Sequence, residues 1–288
     1  MNRLTEICEC NSGFMAACPD YGTSSLVIFG APMDFTVSFR PGSRSGPQAI
    51  RLASPGLEEH SLYSGKDLRH ASFYDAGDLI LPIGNTSRSL ELVEEAASAI
   101  LEDKKFPLLL GGEHLVSLGG LRAAAQSFPG LAVIHFDAHA DLRTDYLGEI
   151  HSHAAVMYRA YQDLGVELFQ YGIRSATAEE VAFAKQHTHF YPFHVLEPLR
   201  ETLPLLKGRP VYVSIDIDVV DPAYAPGTGT PEPGGITSAE LLASLALLAQ
   251  LDVVAMDLVE VSPVYDPAGI TAMLAAKVIR EMILAFAK

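Results

Sequence analysis

Apolar and polar residues follow two rhythms along this chain. Eight short stretches, SLVIFGAP, SFYDAGDL, FPLLLGG, LAVIHFDAHAD, VELFQYGIR, THFYPF, PVYVSIDID and DVVAMDLVEV, are rich in β-branched, aromatic and aliphatic residues. Such near-continuous apolar runs read as strands buried on both faces. Between several of them, SRSLELVEEAASAILEDKK, LVSLGGLRAAAQSF, TAEEVAFAKQ and SAELLASLALLAQ place apolar residues at helical spacing. Alternation of this kind predicts parallel strands joined by right-handed crossovers, with helices covering both faces of one sheet. No repeat, low-complexity tract or linker divides the chain, so residues 1–288 are expected to form one α/β domain, with 1–24 as an irregular leader.

Composition narrows the function classes. With 49% hydrophobic residues in 288, the chain can bury a large core, and its formal net charge of −15 speaks against nucleic acid and anionic membranes as partners, since both demand a basic patch. The segment LLASLALLAQL is too short to span a bilayer, and MNRLTEICECNSGFMAACPDYG lacks the basic start and apolar core of a secretory signal, so a cytoplasmic protein is expected. Cys8, Cys10 and Cys18 lie together in the leader. Their odd number and the lack of a fourth ligand predict reduced thiols, not a disulfide framework or a zinc site.

In a parallel sheet, ligands bind beyond the carboxyl ends of the strands. There the polar residues of this chain converge in type. LLLGGEH ends in Glu113 and His114, VIHFDAHAD in Asp137, His139 and Asp141, and VYVSIDID in Asp216 and Asp218. Alternation along a strand puts Asp137, His139 and Asp141 on one side, and likewise Asp216 and Asp218, with a turn near Asp141 able to swing it back toward the same centre. Four carboxylates brought together repel one another, and burial adds to the cost, so the cluster predicts two divalent cations among them. Two imidazoles with four carboxylates are too oxygen-rich for structural zinc and too soft for a calcium cage. Manganese is the favoured ion, with iron, cobalt and nickel as alternatives.

These residues resemble the metal-binding signatures of a known family. GGEH, DAHAD and SIDIDVVDP are similar to the three signatures of the ureohydrolases, the family of arginase, agmatinase and formimidoylglutamase. FRPGSRSGPQAIR, at residues 39–51, resembles the family's N-terminal loop, and VEVSP, at 259–263, its last signature. The resemblance implies an arginase-like, three-layer αβα sandwich around a mostly parallel eight-stranded sheet, and two Mn²⁺ ions per subunit. It further implies that His114, Asp137, Asp141 and Asp216 hold one ion and that Asp137, His139, Asp216 and Asp218 hold the other. Many relatives have Asp where this chain has Glu113, which alters a neighbour of the ligands and not a ligand.

The resemblance also implies the chemistry. A hydroxide bridging the two ions attacks a guanidinium carbon, and urea and an amine leave. His153, matching the family's Ser-His motif, would carry the proton to the amine. His151 is its competitor, and otherwise a solvated loop histidine. Glu260 would pair with the substrate guanidinium, or else serve as an acid at a helix start or behind the ligands. Asp141 joins His153 and Glu260 as a catalytic residue through its metal. The segment DLRTDYLGEIHSH resembles the agmatinase branch, so the expected reaction is agmatine to putrescine and urea. Guanidinobutyrase, aminopropylagmatine ureohydrolase, arginase and formimidoylglutamase activities are the alternatives. The partner is thus a small cationic guanidino compound, and family members assemble as trimers or hexamers.

Other readings are weaker. A binuclear phosphoesterase needs basic residues to clamp phosphate, and the motif loops offer few beyond Arg143 and Arg174. A metal-binding regulatory protein would have lost a ligand or the proton carrier, and none is lost. The glycine pairs Gly111 with Gly112 and Gly119 with Gly120 lack a phosphate loop's Lys and Ser/Thr, so close packing beside a strand is expected. His187, His189 and His194 are read as surface and strand residues, not as a third metal site.

Overall fold

A computed structural model describes residues 3–9 and 12–288. Among them, β1 (Cys8–Glu9), β2 (Leu26–Ala31), β3 (Phe73–Leu79), β4 (Phe106–Gly111), β5 (Ala132–Phe136), β6 (Glu167–Ile173), β7 (His189–Pro192), β8 (Pro210–Asp216) and β9 (Asp252–Val259) form one sheet. Its order is β1-β3-β2-β4-β9-β8-β5-β6-β7, and every pairing is parallel except that of β1 with β3. The helices are α1 (Leu4–Ile7), α2 (Gly46–Ala53), α3 (Thr86–Glu102), α4 (Ser117–Ser127), α5 (Val156–Leu164), α6 (Ala178–His187), α7 (Leu196–Leu206), α8 (Ser238–Leu248) and α9 (Ile270–Phe286).

The eight apolar runs are the eight parallel strands. Each run is continuous because the sheet separates two cores and successive side chains enter them in turn. Ile28, Leu108, Ile134 and Val213 pack with α2, α7, α8 and α9, whereas Val27, Leu109, Val133 and Tyr212 pack with α3, α4, α5 and α6. The result is the three-layer αβα sandwich.

The sheet has nine strands where eight were expected. Cys8 and Glu9 pair antiparallel with Leu79 and Asp78, so part of the leader is ordered onto the sheet edge, following the one-turn α1 whose Leu4 is buried. Two residues carry no periodicity, so this strand leaves no trace in the hydrophobic pattern. Cys18 is a free thiol 3.7 Å from Thr23 Oγ1, and Cys10 lies outside the described residues. Among the described residues no helix is long and apolar enough to cross a membrane.

Both glycine pairs serve close approach. A Cβ at Gly112 would sit 2.0 Å from the Met33 carbonyl oxygen, and one at Gly120 would sit 2.4 Å from the Tyr212 hydroxyl, so the strand-end turn and α4 can lie where they do only without side chains there.

Candidate metal centre

Four neighbouring strands, β4, β9, β8 and β5, end at one place on the carboxyl edge of the sheet. His114 begins the turn after β4, Asp137 follows β5, Asp216 closes β8 with Asp218 in the next turn, and Glu260 follows β9. Asp141 adopts φ +52°, a left-handed turn that folds it back toward His114. Glu260 is likewise left-handed, at φ +64°, with its N–H donating to the Gly112 carbonyl at 2.8 Å. Such conformations cost a non-glycine residue on the order of 1–3 kcal/mol and persist where surrounding contacts hold them.

Two groups of donors result. In the first, His114 Nδ1 lies 3.0 Å from Asp137 Oδ2, 3.1 Å from Asp141 Oδ2 and 3.4 Å from Asp216 Oδ2. In the second, His139 Nδ1 lies 2.9 Å from Asp218 Oδ2 and 3.5 Å from Asp137 Oδ1. Asp137 thus faces both groups with its two oxygens. Asp216 Oδ1 accepts the Asp218 N–H at 2.8 Å, which ties the two together.

The donor chemistry fits cations. Ser214 donates its hydroxyl proton to Asp257 Oδ1 at 2.7 Å, so its oxygen accepts from His114 Nε2–H at 2.9 Å. That leaves His114 Nδ1 facing three carboxylates, able to give its lone pair to a cation or, in stripped protein, to hold a proton among them. Neither this nitrogen nor Asp218 Oδ2 makes a hydrogen bond, although both are buried. Lone pairs turned toward one another in a dry site are tolerable only around positive charge.

His135 joins the first group through a 2.8 Å contact of Nε2 with Asp137 Oδ2. Gln170 Nε2 donates to the Ala140 carbonyl at 2.8 Å and to His135 Nδ1 at 3.1 Å, so His135 must carry its proton on Nε2 and donate to Asp137. It therefore orients a carboxylate instead of offering a lone pair. Sequence reasoning passed over His135, although the alternation that grouped Asp137 with His139 extends to it. Ser214, Asp257 and Gln170 were missed as well, because nothing local in the sequence marks a strand residue as the partner of one on another strand.

Above the two groups lies a cavity of about 290 Å³. His114, His139, Asp141 and Asp216 line its floor, and His153, Glu260, Tyr146, Arg143 and Glu180 line its sides. His153 faces it, while His151 is not part of its lining. Burial lowers the His153 pKa, favouring the neutral imidazole. Glu260 Oε1 accepts the His114 N–H at 2.7 Å, and burial beside the negative Glu113 raises its pKa to about 8. Burial also raises Glu113, to about 7.

Arg174 donates to the carbonyls of Asp218, Val219 and Glu232, so it clamps the turn after β8 and is not available to a phosphate. His189 pairs with Glu167, and His187 contacts Tyr161. Neither belongs to a metal-binding group.

The family model for the arginase family matches residues 24–285. The chain belongs to the arginase family. The agmatinase of Bacillus subtilis (strain 168) is 53% identical to it over 279 residues, 96% of each chain. The agmatine ureohydrolase of Thermoplasma volcanium superposes with a TM-score of 0.86 at 34% identity, covering 96% of this chain and 94% of that one. The proclavaminate amidino hydrolase from Streptomyces clavuligerus does so with 0.87, also at 34% identity, covering 96% and 97%. The two His/Asp groups fit the binuclear metal site of this family.

A pH dependence follows for protein stripped of metal. Glu113, Glu260 and Asp216 are all raised, chiefly by burial, and His114 is raised because its carboxylate neighbours outweigh burial. A folded-state pKa above the unfolded one means stability that is fully present below the unfolded value and lost as pH rises through the folded value. The melting temperature of chelator-treated protein is therefore expected to fall between about pH 5 and pH 9, and the metal-loaded protein to fall less. A flat or rising profile for the stripped protein contradicts these shifts.

Proposed function

We propose that this arginase-family hydrolase uses two manganese ions to cleave agmatine into putrescine and urea. The observation that carries the reading is a buried pair of His/Asp groups sharing Asp137 beneath a small acidic cavity, in a chain 53% identical to an agmatinase. His114, Asp137, Asp141 and Asp216 would hold one ion, and Asp137, His139, Asp216 and Asp218 the other, with Asp137 and Asp216 shared. Bound there, the ions supply Lewis-acid charge and a nucleophilic oxygen near neutral pH.

The chain's own side chains do the rest. Glu260 on the cavity wall would meet a planar guanidinium as a carboxylate, the bound cation offsetting the burial that otherwise raises its pKa. With the ligand carboxylates balanced by the two ions, Glu180 and Glu260 outnumber Arg143 on the cavity lining, a negative balance that favours a dication such as agmatine. His153, neutral at rest, takes a proton from water and gives it to the leaving nitrogen. The protein's proposed setting is the cytoplasm, as a homo-oligomer of the trimer or hexamer kind.

Arg143 favours a second reading. Its guanidinium lines the cavity, 3.9 Å from Glu180, and would attract a carboxylate tail, as in guanidinobutyrate. The deciding experiment measures urea release by manganese-loaded protein on agmatine, arginine and guanidinobutyrate, and formamide release on formiminoglutamate, in parallel, with putrescine quantified. Agmatine alone yielding urea and putrescine supports the proposal. Guanidinobutyrate as the preferred substrate replaces it with the second reading, and no product from any of the four overturns both.

Glu260→Gln keeps the shape and removes the charge that pairs with the substrate. A hydrogen bond to a charged group contributes about 1.5–3 kcal/mol, so kcat/KM is expected to fall roughly 10- to 150-fold while bound metal stays near wild type. Unchanged kcat/KM would remove Glu260 from the substrate contact.

A further inference from the structure

Glu113 is buried beside the metal site, yet its carboxylate turns away from the ions' ligands toward the loop that follows β2. Its Oε1 accepts the Phe35 N–H at 3.1 Å, and its Oε2 accepts both the Thr36 N–H and the Thr36 hydroxyl at 2.8 Å. The Glu113 N–H in turn donates to the Met33 carbonyl at 2.7 Å, so the two segments are pinned by four hydrogen bonds. At the far side of Thr36 stands His153. Its backbone N–H donates to Thr36 Oγ1 at 3.1 Å, and its Nδ1 lies 3.4 Å from the same oxygen. Its Nε2 lies 3.1 Å from Ser38 Oγ, on the cavity side.

A threonine hydroxyl has one proton and two lone pairs. The proton of Thr36 is committed to Glu113, so toward the imidazole it can only accept. His153 Nδ1 must then carry the hydrogen, and Nε2 presents its lone pair to Ser38 and the cavity. We infer that Thr36, anchored by Glu113, is a positioning residue that fixes His153 as the Nδ1–H tautomer, making Nε2 the nitrogen that handles the proton. The inference rests on the proposed role of His153. It also gives Glu113 work to do: its side chain spans from the strand end to two backbone amides and the hydroxyl.

The proton balance is complete. When a guanidinium and water become urea and an ammonium, both hydrogens of the water end on the leaving nitrogen. Nε2 accepts one of them and delivers it as the C–N bond breaks, and the ring returns to its neutral Nδ1–H form.

The test compares manganese-loaded wild type, Thr36→Val, His153→Asn and the double variant. Each is assayed on whichever of the three guanidino compounds releases urea, with kcat, KM, bound manganese and melting temperature recorded. His153→Asn alone tests the parent reading: undiminished kcat there overturns it, and the inference with it. Given a loss in His153→Asn, Thr36→Val is expected to lower kcat about 10- to 100-fold with KM and bound manganese unchanged. Thr36→Ser, which keeps the hydroxyl, is expected to stay within about threefold of wild type. In the His153→Asn background, Thr36→Val should cost nothing further, because Thr36 acts only through that ring. Equal losses in both backgrounds, a loss confined to KM or metal, or no loss in Thr36→Val each overturn the inference while leaving His153's role intact. Should Thr36→Val fail to fold, Thr36→Ala removes the same hydroxyl without putting a methyl group in its place and is read by the same criteria.

Discussion

Asp216→Asn is expected to lose bound metal and turnover together, with activity falling on the order of 10³-fold or more, about 4 kcal/mol of transition-state stabilisation. Asp216 is 3% exposed at the end of β8, with Oδ2 3.4 Å from His114 Nδ1 and Oδ1 holding the Asp218 N–H. Asparagine matches its shape, but an amide offers one neutral oxygen where the proposed role needs two charged ones. The expected opposite effect on stability makes the test specific. Burial, with Asp218 and Asp137 nearby, holds the Asp216 pKa well above the ordinary carboxylate range, so in stripped protein its charge is a burden at neutral pH. Chelator-treated Asp216→Asn should therefore melt no lower than chelator-treated wild type, while metal should stabilise the variant less. Metal content by elemental analysis, with turnover and melting curves on the same samples, checks all three. Two ions per chain with full turnover would remove Asp216 from the shared position.

Arg51→Leu is expected to destabilise the fold by about 3–5 kcal/mol, the usual consequence of leaving one member of a buried ion pair behind. Arg51, on α2, is 2% exposed. Its Nε and Nη2 meet the two oxygens of Asp75 at 2.8 and 2.9 Å, and Nη1 pairs with Asp78. Asp75 also accepts the Phe14 and Gly77 N–H groups, so the guanidinium joins α2, β3 and the leader through one carboxylate. Without it, Asp75 keeps two backbone donors and no counter-charge in a dry site. Lysine, with its single point of contact, cannot replace the two-pronged geometry and should recover only part of the loss. The control is Arg88→Ala, whose partners Glu91 and Glu95 are about half exposed and whose loss should change stability by less than about 1 kcal/mol. Denaturant midpoints measured on metal-loaded protein decide between them, and an Arg51→Leu midpoint equal to that of Arg88→Ala would sink the argument.

Much of the site was legible because its residues sit where a local rhythm breaks. Asp137, Asp216 and Glu113 interrupt apolar runs, and alternation along one strand tells which neighbours share a face. Three such interruptions at three strand ends implied a common centre, since the carboxyl edge of a parallel sheet gathers its strand ends. The same logic reached His139 and Asp218. It stopped short of His135, whose donor role emerges only from Gln170 on the adjacent strand. The first strand was illegible for a different reason, being too short to show a period at all.

The sequence alone determined the order of strands and helices along the chain, the parallel sheet they imply, and the acidic and imidazole residues at the strand ends. These are properties of neighbours within a few positions, carried by periods of 2 and 3.6 residues. Tertiary structure alone decided which strand ends adjoin, with β9 inserted between β4 and β8 so that Glu260 reaches the backbone of His114 from 146 positions away. It also decided the left-handed turn that returns Asp141 to the centre, and the clamp of Glu113 on Thr36 that faces His153 across 117 positions. Contacts at such separations depend on crossover connections and close packing, and a linear pattern of hydrophobic and polar residues encodes neither in any single window.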